Sequence, residues 1–348
     1  MKVLVIRFSA MGDVALSLPV IRAVLNKNPE IEINLLTNPR FGAIFKNIPR
    51  LNILSFNVFE NYKGFFGLWR LFKELKKLNF SLIIDLHQSL RSRILLLYFK
   101  LYGFKTNFID KGREEKQKLI GNIFSNTKIL KHITKRYEEV FERAEIKLNL
   151  SNKNYSEHGI HHSDKTVQKI DEFLLQNKLK DKTLIGIAPF AKHAVKEWPF
   201  EKIQQLINEI TQNTQKIIFL FGHGSSEISK LKSLLATQNT SILLCSEHFN
   251  LEEELALMSQ LNAMLCMDSA NMHLAELCGC NKVISIWGPT HPNLGFAPFF
   301  NLTENIIQIP VQELTCRPCS VYGNRPCHRG DHACMNRISV ETVLNKMK

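Results

Sequence analysis

The first residues able to do chemistry lie in the stretch RFSAMGDVALSLP, from Arg7 to Pro19. The apolar run Val3 to Phe8 predicts a strand, and the apolar residues that follow Asp13 recur at helical spacing. A strand, a tight loop and a helix in this order form the phosphate-binding corner of nucleotide folds, where glycines and bare backbone are needed. This loop instead has one glycine, Gly12, to make the turn, and then a carboxylate. Asp13 therefore lies where a helix dipole favours its ionised form, in a loop that does not suit an anionic phosphate.

A better phosphate site is predicted in the second half of the chain, within CMDSANMHLAELCG from Cys266 to Gly279. Here a strand ends, a short polar loop follows, and a helix begins near Asn271. Free N–H groups at a helix N-terminus bind anions, so a diphosphate fits this loop. Its polar side chains allow two interpretations. Asp268 and Ser269 either cap the helix or contact a sugar hydroxyl, and His273, in the first turn, is either structural or part of the site.

Charged residues follow two further strands of the second half. In GIAPFAKHAVKEWPFEKIQQLI, Lys192 and Lys196 precede Pro199, which suits the first turn of a helix. These lysines either neutralise a diphosphate as movable point charges or are solvated surface groups. In FGHGSSEISKL, two glycines precede Glu227 at the head of a helix. That carboxylate either accepts hydrogen bonds from ribose hydroxyls or only favours the helix dipole.

Strand-like runs alternate with amphipathic helical segments along the chain, which is typical of parallel sheets covered by helices. The predicted strands are Lys2–Phe8, Glu32–Thr37, Ser81–Leu86, Lys105–Ile109, Thr183–Pro189, Lys216–Gly222, Ser241–Cys245, Leu261–Met267 and Lys282–Gly288. The polar stretch from Ile146 to Thr166 lacks apolar periodicity and is interpreted as a domain boundary. The predicted fold class is α/β, with two doubly wound domains, 1–165 and 166–348, that face a cleft. Packing of the C-terminal segment back on the first domain stays open.

The totals describe a globular protein with excess positive charge. The 348 residues include 45 Lys and Arg against 32 Asp and Glu, a formal net charge of +13, which favours anionic partners. A basic protein without a polyanionic partner is the alternative. The longest apolar stretch, Ile94–Phe99, is far shorter than the ~20 residues of a membrane-spanning helix. Because no signal peptide is visible, we expect a cytoplasmic protein with reduced cysteines.

One predicted helix in the first half, from Gly64 to Leu78, combines apolar and basic residues. The apolar side chains that recur at helical spacing are Phe65, Leu68, Trp69, Phe72 and Leu75. This stripe either faces the protein's own core or lies on an anionic membrane surface. Both interpretations hold together if only the basic edge of the helix meets lipid.

Four of the eight cysteines lie near the C-terminus, at Cys316, Cys319, Cys327 and Cys334. The first pair has the CxxC spacing that suits tetrahedral zinc, and four thiolates would complete a structural site. The second pair is not a CxxC. Reduced thiols or a packing role are therefore the favoured interpretations, and structural zinc is the alternative.

Four motifs in a fixed order resemble a known enzyme family. RFSAMGDVALSLPVI, KEWPFEKI, DSANMHLAELCG and IWGPTHP together resemble glycosyltransferase family 9, which includes the ADP-heptose:lipopolysaccharide heptosyltransferases. The resemblance implies a GT-B fold of two Rossmann-like domains, with the acceptor on the N-terminal domain and the nucleotide sugar on the C-terminal one. It also implies an inverting sugar transfer that requires no metal and no other cofactor.

The resemblance assigns roles to the loops described above. Asp13 matches the family's candidate general base, and Ser9, Met11 and Gly12 around it match the acceptor side. The implied donor-binding residues are Lys192, Lys196, Glu227, Asp268, Ser269, Ala270, Asn271 and His273. Among them, Lys196 matches the lysine of the diphosphate, and Glu227 the acid of the ribose. Many relatives have DSGPMHL, so Ala270 and Asn271 depart from the pattern and leave the sugar preference open, while the helix N-terminus is retained.

The resemblance and the charge together predict the substrates and the partners. We expect ADP-heptose as donor, and as acceptor a phosphorylated, lipid A-linked oligosaccharide of the lipopolysaccharide core at the inner membrane. Arg91 and Arg93 are expected to meet acceptor phosphates, and the protein is expected to bind the anionic membrane surface peripherally. A nucleic-acid-binding protein is one rival, but no nucleic-acid module is visible and the basic residues are dispersed, so no nucleic acid partner is predicted. A nucleotide-sugar isomerase of the same fold is the other rival.

Overall fold

The computed structural model describes residues 1–121, 129–151, 155–235, 241–300 and 303–348. The chain forms two compact units, one of Met1–Arg113 with Lys131–His161, the other of Glu114–Leu130 with His162–Lys348. One division, between His161 and His162, falls in the polar stretch Ile146–Thr166, of which residues 152–154 lie outside the described part. The segment Glu114–Leu130 groups with the second unit, unlike in the predicted division into 1–165 and 166–348, which stays a prediction. No described helix has both the length and the apolar character needed to cross a membrane.

The first unit is built on a five-stranded parallel sheet. Its strands are β1 (Lys2–Ile6), β2 (Glu32–Leu36), β3 (Leu51–Leu54), β4 (Leu82–Asp85) and β5 (Lys105–Phe108). They lie in the order β3-β2-β1-β4-β5, and Val3 of β1 pairs with Ile33 on one side and Leu82 on the other. The strand order reverses between β1 and β4. Sheets of this type bind ligands in the crevice at the carboxyl ends of the two strands that flank the reversal.

The second unit repeats this plan with one more strand. Its strands are β6 (Thr183–Ala188), β7 (Lys216–Leu220), β8 (Ile242–Leu244), β9 (Ala263–Met267), β10 (Val283–Trp287) and β11 (Ile306–Gln308). They lie in the order β11-β10-β9-β6-β7-β8, again with parallel neighbours, so the reversal falls between β6 and β9. The predicted fold class of two doubly wound α/β units is confirmed.

All nine predicted strands form, with ends within two residues of those predicted. Two further strands were not predicted, β3 and β11, each of which is the outermost strand on one edge of its sheet. Both are short, and only one of their residues, Ile307, is fully buried. Edge strands of this kind lack the continuous apolar run by which a buried parallel strand is recognised.

Helices connect the strands in both units. Those up to residue 161 are α1 (Met11–Ala15), α2 (Leu18–Lys27), α3 (Gly64–Lys76), α4 (Leu90–Leu101), α5 (Arg113–Lys118), α6 (Ile133–Glu142) and α7 (Tyr155–His158). Those that follow are α8 (Asp164–Gln176), α9 (Phe200–Thr211), α10 (Gly224–Leu235), α11 (Cys245–His248), α12 (Leu251–Gln260), α13 (Ala270–Leu277), α14 (Ala333–Asn336) and α15 (Val340–Met347). The C-terminal helix α15 packs against α9 within the second unit.

Helix α3 is the amphipathic helix predicted from Gly64 to Leu78, and most of its apolar stripe faces the core of the first unit. Leu68, Phe72 and Leu75 are buried there, and Trp69 packs against the same cluster. Phe65 is 67% exposed, and its neighbour Phe66 is 92% exposed. The core interpretation is therefore wrong for Phe65, because the apolar cluster reaches the helix only from Leu68 onward.

The described residues of the segment Glu114–Leu130 make apolar contacts with the second unit, which were not predicted from the sequence. Leu119 and Leu130 are buried together with Leu294, and Phe296 packs against them. Two backbone hydrogen bonds, from Gly121 N to Pro318 O and from Leu130 N to Asn293 O, both 3.0 Å long, tie the segment down.

Candidate active site

The candidate residues gather at the two positions where the strand order reverses. In the first unit, β1 leads into the loop and helix that carry Asp13, and the neighbouring β4 ends at Asp85. In the second unit, β6 leads into the loop of Lys196, and the neighbouring β9 ends directly before Asp268. Because neighbouring parallel strands end at the same edge, each pair of loops converges on one crevice.

Asp13 is held by a buried arginine. Arg7 Nη2 forms an ion pair with Asp13 Oδ2, and the side chains are 3% and 32% exposed, respectively. Arg7 Nη1 also donates to the Leu86 carbonyl at 2.8 Å, which anchors the guanidinium beside the end of β4. Burial lowers the pKa of Arg7, but the charge of Asp13 and weaker contributions outweigh it, so that pKa is raised. The guanidinium is therefore always charged, and it orients a carboxylate that solvent and ligands can reach.

A tyrosine fixes the backbone of the same residue. Tyr137, on α6, is fully buried, and its Oη donates to the Asp13 carbonyl at 3.1 Å. Burial raises the pKa of Tyr137 far above its ordinary value, so the phenol stays neutral and keeps donating. The Arg7 guanidinium lies 5.9 Å from the centre of the Tyr137 ring. Side chain and main chain of Asp13 thus have separate anchors.

Two neighbouring strands add three titratable groups to this crevice, since Asp85 ends β4, His87 follows it, and Lys111 follows β5. Asp85 Oδ1 accepts from the backbone N–H groups of His87 at 2.7 Å and Gln88 at 3.0 Å, and burial raises the pKa of this carboxyl. Burial, followed by the charges of Arg7 and Lys111, lowers the pKa of His87 to about 3. Burial and the charge of Arg7 lower the pKa of Lys111 to about 8. Positive charge therefore prevails around Asp13.

The other predicted acceptor residues are placed unequally. Ser9 and Met11 lie beside Asp13 and are partly exposed. Gly12 lies inside α1 rather than in a tight turn, so that prediction is wrong: the helix begins at Met11, one residue before the glycine.

Arg91 and Arg93 lie on the exposed side of α4. The Arg91 guanidinium stacks 5.0 Å from the ring centre of Phe59, which contacts Phe8, and Phe8 in turn contacts His87. These ring contacts connect Arg91 to the crevice of Asp13. Among the described residues, no ring contact of this kind connects Arg93 to the crevice, and its role stays a prediction.

In the second unit, Lys196 and Asp268 meet directly. Lys196 Nζ lies 2.7 Å from Asp268 Oδ2, both side chains are mostly buried, and Thr290 Oγ1 donates to the same oxygen at 2.6 Å. Both partners contact Oδ2, and Ser269 rather than Asp268 is the N-cap residue of the helix that follows, so the capping interpretation of Asp268 is wrong. Gly323 lies against the Lys196 stem: a Cβ there would come within 2.4 Å of Lys196 Cδ, and its φ is +72°. Thr290 and Gly323 belong to the site although sequence reasoning missed them.

Helix α13 begins at Ala270, one residue before the predicted start, with Ser269 as its N-cap residue. The Ser269 side chain makes no capping bond, and its buried Oγ has no hydrogen-bond partner among the described residues. Ala270 and Asn271 are partly exposed in the first turn, whereas His273 is buried. An uncapped helix start beside an ammonium group suits an anion.

The loop of Lys196 is anchored through Trp198. The buried indole donates from Nε1 to the Ile338 carbonyl at 3.2 Å, and Trp198 N lies 3.3 Å from Met267 Sδ at the end of β9. Helix α9 begins at Phe200, so Pro199 is its N-cap residue rather than part of its first turn. Lys192, earlier in this loop, is exposed. The loop therefore holds one lysine firmly and leaves the other free to move.

The third predicted loop follows β7 and leads into α10. Glu227 lies in the first turn of α10, as predicted, and its Oε2 accepts from His223 N at 2.9 Å. Gly224 has a φ of +79°, which favours glycine, and a Cβ on Gly222 would lie 2.8 Å from Leu231 Cδ1. Both glycines are thus needed for the local backbone, and the carboxylate is oriented by the loop that precedes it.

The cysteine segment supports the Thr290 loop. Arg317, almost fully buried, donates to the carbonyls of Gly288 and Thr290, and Cys319 N donates to Pro289 O at 3.0 Å. Burial raises the pKa of Cys334 to about 11 and also raises the pKa of Cys319, which favours protonated thiols. Across the described residues, no group of three or more His, Cys, Asp or Glu side chains has the geometry of a metal site. The segment thus packs against the Thr290 loop through Arg317 and Cys319, and the expectation of reduced thiols stays a prediction.

Comparisons with known proteins agree with this arrangement. The model of the family glycosyltransferase family 9 (heptosyltransferase) matches residues 68–327. The chain is 25% identical to the lipopolysaccharide core heptosyltransferase OpsX of Haemophilus influenzae, over 99% of this chain and 95% of that protein. Among solved structures, a glycosyltransferase family 9 protein from Veillonella parvula has a TM-score of 0.75 at 17% identity, covering 99% of this chain and 95% of its own. The E. coli ADP-heptose lipopolysaccharide heptosyltransferase II has a TM-score of 0.70 at 17% identity, covering 100% and 97%.

Proposed function

Because the chain belongs to glycosyltransferase family 9, the heptosyltransferases, we propose that it transfers heptose from ADP-heptose to a lipid A-linked acceptor of the lipopolysaccharide core. The names of the relatives support this choice of donor and acceptor. The first unit is the acceptor side and the second unit is the nucleotide-sugar side. The reaction itself requires no metal or other cofactor.

On the acceptor side, Asp13 is the general base. An acceptor hydroxyl attacks the anomeric carbon of the heptose from the face opposite the diphosphate, and Asp13 takes the hydroxyl proton. The new bond joins the acceptor oxygen to the anomeric carbon, which is inverted. Arg7 occupies Oδ2 of the carboxylate, so the reaction uses the remaining lone pairs of a group already oriented. Arg7 and Tyr137 act as positioning residues.

On the donor side, the bond between the anomeric carbon and the diphosphate breaks, and ADP leaves with the electron pair. Lys196 and the start of α13 offset the negative charge that grows on the diphosphate. The Lys196 ammonium has three N–H donors, and the bond to Asp268 leaves the others for phosphate oxygens. Ser269 Oγ, buried and unpartnered among the described residues, supplies a further donor. Glu227 accepts hydrogen bonds from the ribose.

The observation that carries the proposal is the placement of Asp13 and Lys196 at the reversal points of their sheets, each in an ion pair with a largely buried partner. The test is ADP release from ADP-heptose, with and without a heptose-free lipid A-linked acceptor. We expect release only with acceptor, and an inverted anomeric centre in the product by NMR. Conversion of the nucleotide sugar without acceptor would instead identify an isomerase, and inactivity with ADP-heptose alongside turnover of a UDP- or GDP-sugar would refute the proposed donor.

We also infer that the acceptor side binds the cytoplasmic face of the inner membrane through a lipid face, defined as the exposed residues of α3 and α4. Its apolar members include Phe65, Phe66, Leu97 and Leu101. Helix α4 has two arginines, one lysine and no acid, and the two helices pack against each other. Exposed aromatic and leucine side chains among basic residues suit an anionic bilayer surface.

Sedimentation with vesicles tests the lipid face. We expect the protein to bind phosphatidylcholine vesicles that contain phosphatidylglycerol, and Phe66→Asp to weaken this binding. Leu175→Asp, at an exposed helical position of the second unit, is the matched control and is expected to bind like the unaltered protein. If Phe66→Asp and Leu175→Asp bind these vesicles equally well, the lipid face is refuted. If the unaltered protein binds vesicles of phosphatidylcholine alone equally well, the contribution of anionic lipid is refuted.

A further inference from the structure

A buried acid lies next to the glycine loop of the donor side, defined as Gly222 to Gly224 after β7. Glu254, in the first turn of α12, has a side chain that is only 1% exposed. A carboxylate is rarely buried to this degree without a charged partner. Its partner is His223, whose Nε2 lies 3.1 Å from Glu254 Oε2 and whose side chain is half exposed.

His223 contacts two acids at once. Its ring meets Glu254 on α12, while its backbone N–H donates to Glu227 Oε2 on α10 at 2.9 Å. The residue lies between Gly222 and Gly224, whose own main-chain torsions are weakly restricted, so the loop needs other contacts to hold one conformation. The contact between the His223 ring and Glu254 therefore holds the glycine loop against α12. The hydrogen bond from His223 N in turn orients the Glu227 carboxylate.

The charges around His223 favour a protonated ring. The contact with Glu254 is the largest cause that raises the pKa of His223, burial opposes it, and the charge of Glu227 adds to the increase. Glu254 also contributes, after burial, to the raised pKa of the Cys245 thiol, which places its charge close to the end of β8. The pKa of a third acid, Glu197, is raised mainly by burial; the charge of Glu227 adds to this increase, and the charge of Lys230 opposes it.

We propose that His223 and Glu254 are positioning residues for the nucleotide sugar, holding the glycine loop in the conformation that presents Glu227 to the donor ribose. This inference rests on the proposed function, in which Glu227 binds ribose hydroxyls. Neither residue of the pair touches the reacting atoms. The pair determines the fraction of donor-free protein in which the Glu227 carboxylate is oriented to bind ribose.

The kinetic consequence is specific. If loss of the pair reduces the competent loop population to about a tenth, the apparent affinity for donor falls about tenfold. Chemistry takes place at the anomeric carbon and at Asp13, so kcat stays within about threefold of its original value once donor saturates. A change confined to KM distinguishes positioning of the donor from general damage.

The main variant is Glu254→Leu, which removes the buried charge and leaves half-exposed His223 to water. Its matched control is Glu247→Leu, which breaks the 2.9 Å pair between α11 and Lys232 of α10 without touching the glycine loop. We expect Glu254→Leu to raise the donor KM about tenfold, and Glu247→Leu to leave it unchanged. Equal KM values for the unaltered protein and Glu254→Leu would overturn the proposal.

A double-variant cycle tests whether the pair acts through Glu227. Glu227→Gln alone is expected to raise the donor KM, and Glu254→Leu added to it should cause no further increase, because the carboxylate to be positioned is already gone. Independent, multiplying effects would show that Glu254 acts by another route and would overturn the inference.

The pH profile supplies a readout that a purely structural role would not change. The donor KM of the unaltered protein should rise as pH increases through the raised pKa of His223, and Glu254→Leu should lack this transition. A transition retained in Glu254→Leu would contradict the role of the pair. Failure of the proposed function looks different, because then ADP would not stabilise even the unaltered protein against heat.

Discussion

Replacing Asp13 with asparagine separates the two roles of this carboxylate. The amide oxygen still accepts a hydrogen bond from Arg7, but the amide cannot take a proton at neutral pH. Removal of a general base typically slows turnover by about 100- to 10,000-fold. We therefore expect kcat to fall within that range, which corresponds to about 3–5 kcal/mol of lost transition-state stabilisation.

The effect on folding should be much smaller. Leaving a buried charge without its partner costs about 3–5 kcal/mol. Asp13 is a third exposed and asparagine keeps one hydrogen bond to Arg7, so we expect about 1–2 kcal/mol of lost stability. For a unit of this size, that lowers the melting temperature by about 2–8 °C. The variant is then still folded in an assay at room temperature, and unfolding does not account for its lost turnover.

The assay is acceptor-dependent ADP release, combined with calorimetry of ADP binding. ADP affinity should be unchanged, because the nucleotide binds the other unit. Asp110→Asn is the matched control, since Asp110 is an exposed acid in the loop after β5 that accepts from Gly112 N at 2.9 Å. It should keep nearly full turnover. Turnover of Asp13→Asn within about threefold of the unaltered enzyme would refute the general-base role.

Three further predictions concern the donor site, pH and the cysteines. Lys196→Met should weaken ADP binding about 10- to 100-fold in calorimetry, because a charge-assisted contact is lost, and Lys192→Met should have a smaller effect; equal effects would contradict the assignment. The pKa of His87 is lowered to about 3 and that of His291 to about 4 by burial, so the unfolded chain binds more protons below pH ~6.5. The free energy of unfolding measured in urea should therefore fall from pH 7 to pH 5, and this pH dependence should be weaker in His87→Gln. The same pH dependence in His87→Gln would contradict the role of His87. Chelator should leave the melting temperature unchanged, whereas stoichiometric zinc in purified protein would show that the thiols of Cys316 and its neighbours bind metal.

The sequence predicts the architecture well because parallel strands have a simple signature. Buried on both faces, they appear as continuous apolar runs such as Val3 to Ile6 and Met264 to Met267. The residues that follow such strands are then placed at one sheet edge by topology alone. Topology therefore predicts that Asp13, Lys196 and Asp268 lie at these edges, and the structure has them there.

The partners of these residues could not be predicted in the same way. Arg7 lies within an apolar run, and nothing in that pattern indicates that its side chain pairs with Asp13. Tyr137 contacts the same residue although it lies far from it in the sequence. Lys111 and Thr290 are likewise brought in by other strands. Such pairs depend on side-chain directions set by tertiary packing, which hydrophobic periodicity does not encode.

The two sheets share one strand order, 3-2-1-4-5 counted within each unit, yet they hold charge differently at the reversal point. In the first unit a buried arginine fixes a more exposed acid, so the group offered to a ligand is a base. In the second, the acid is fixed by Thr290 and by Lys196, whose ammonium has further donors to offer an anion. The same backbone crevice is thereby specialised for opposite partners through the choice of which charge is anchored. If the anchored charge and the charge offered to the ligand were exchanged at either crevice, that crevice would no longer bind its ligand, although the strand order would be unchanged.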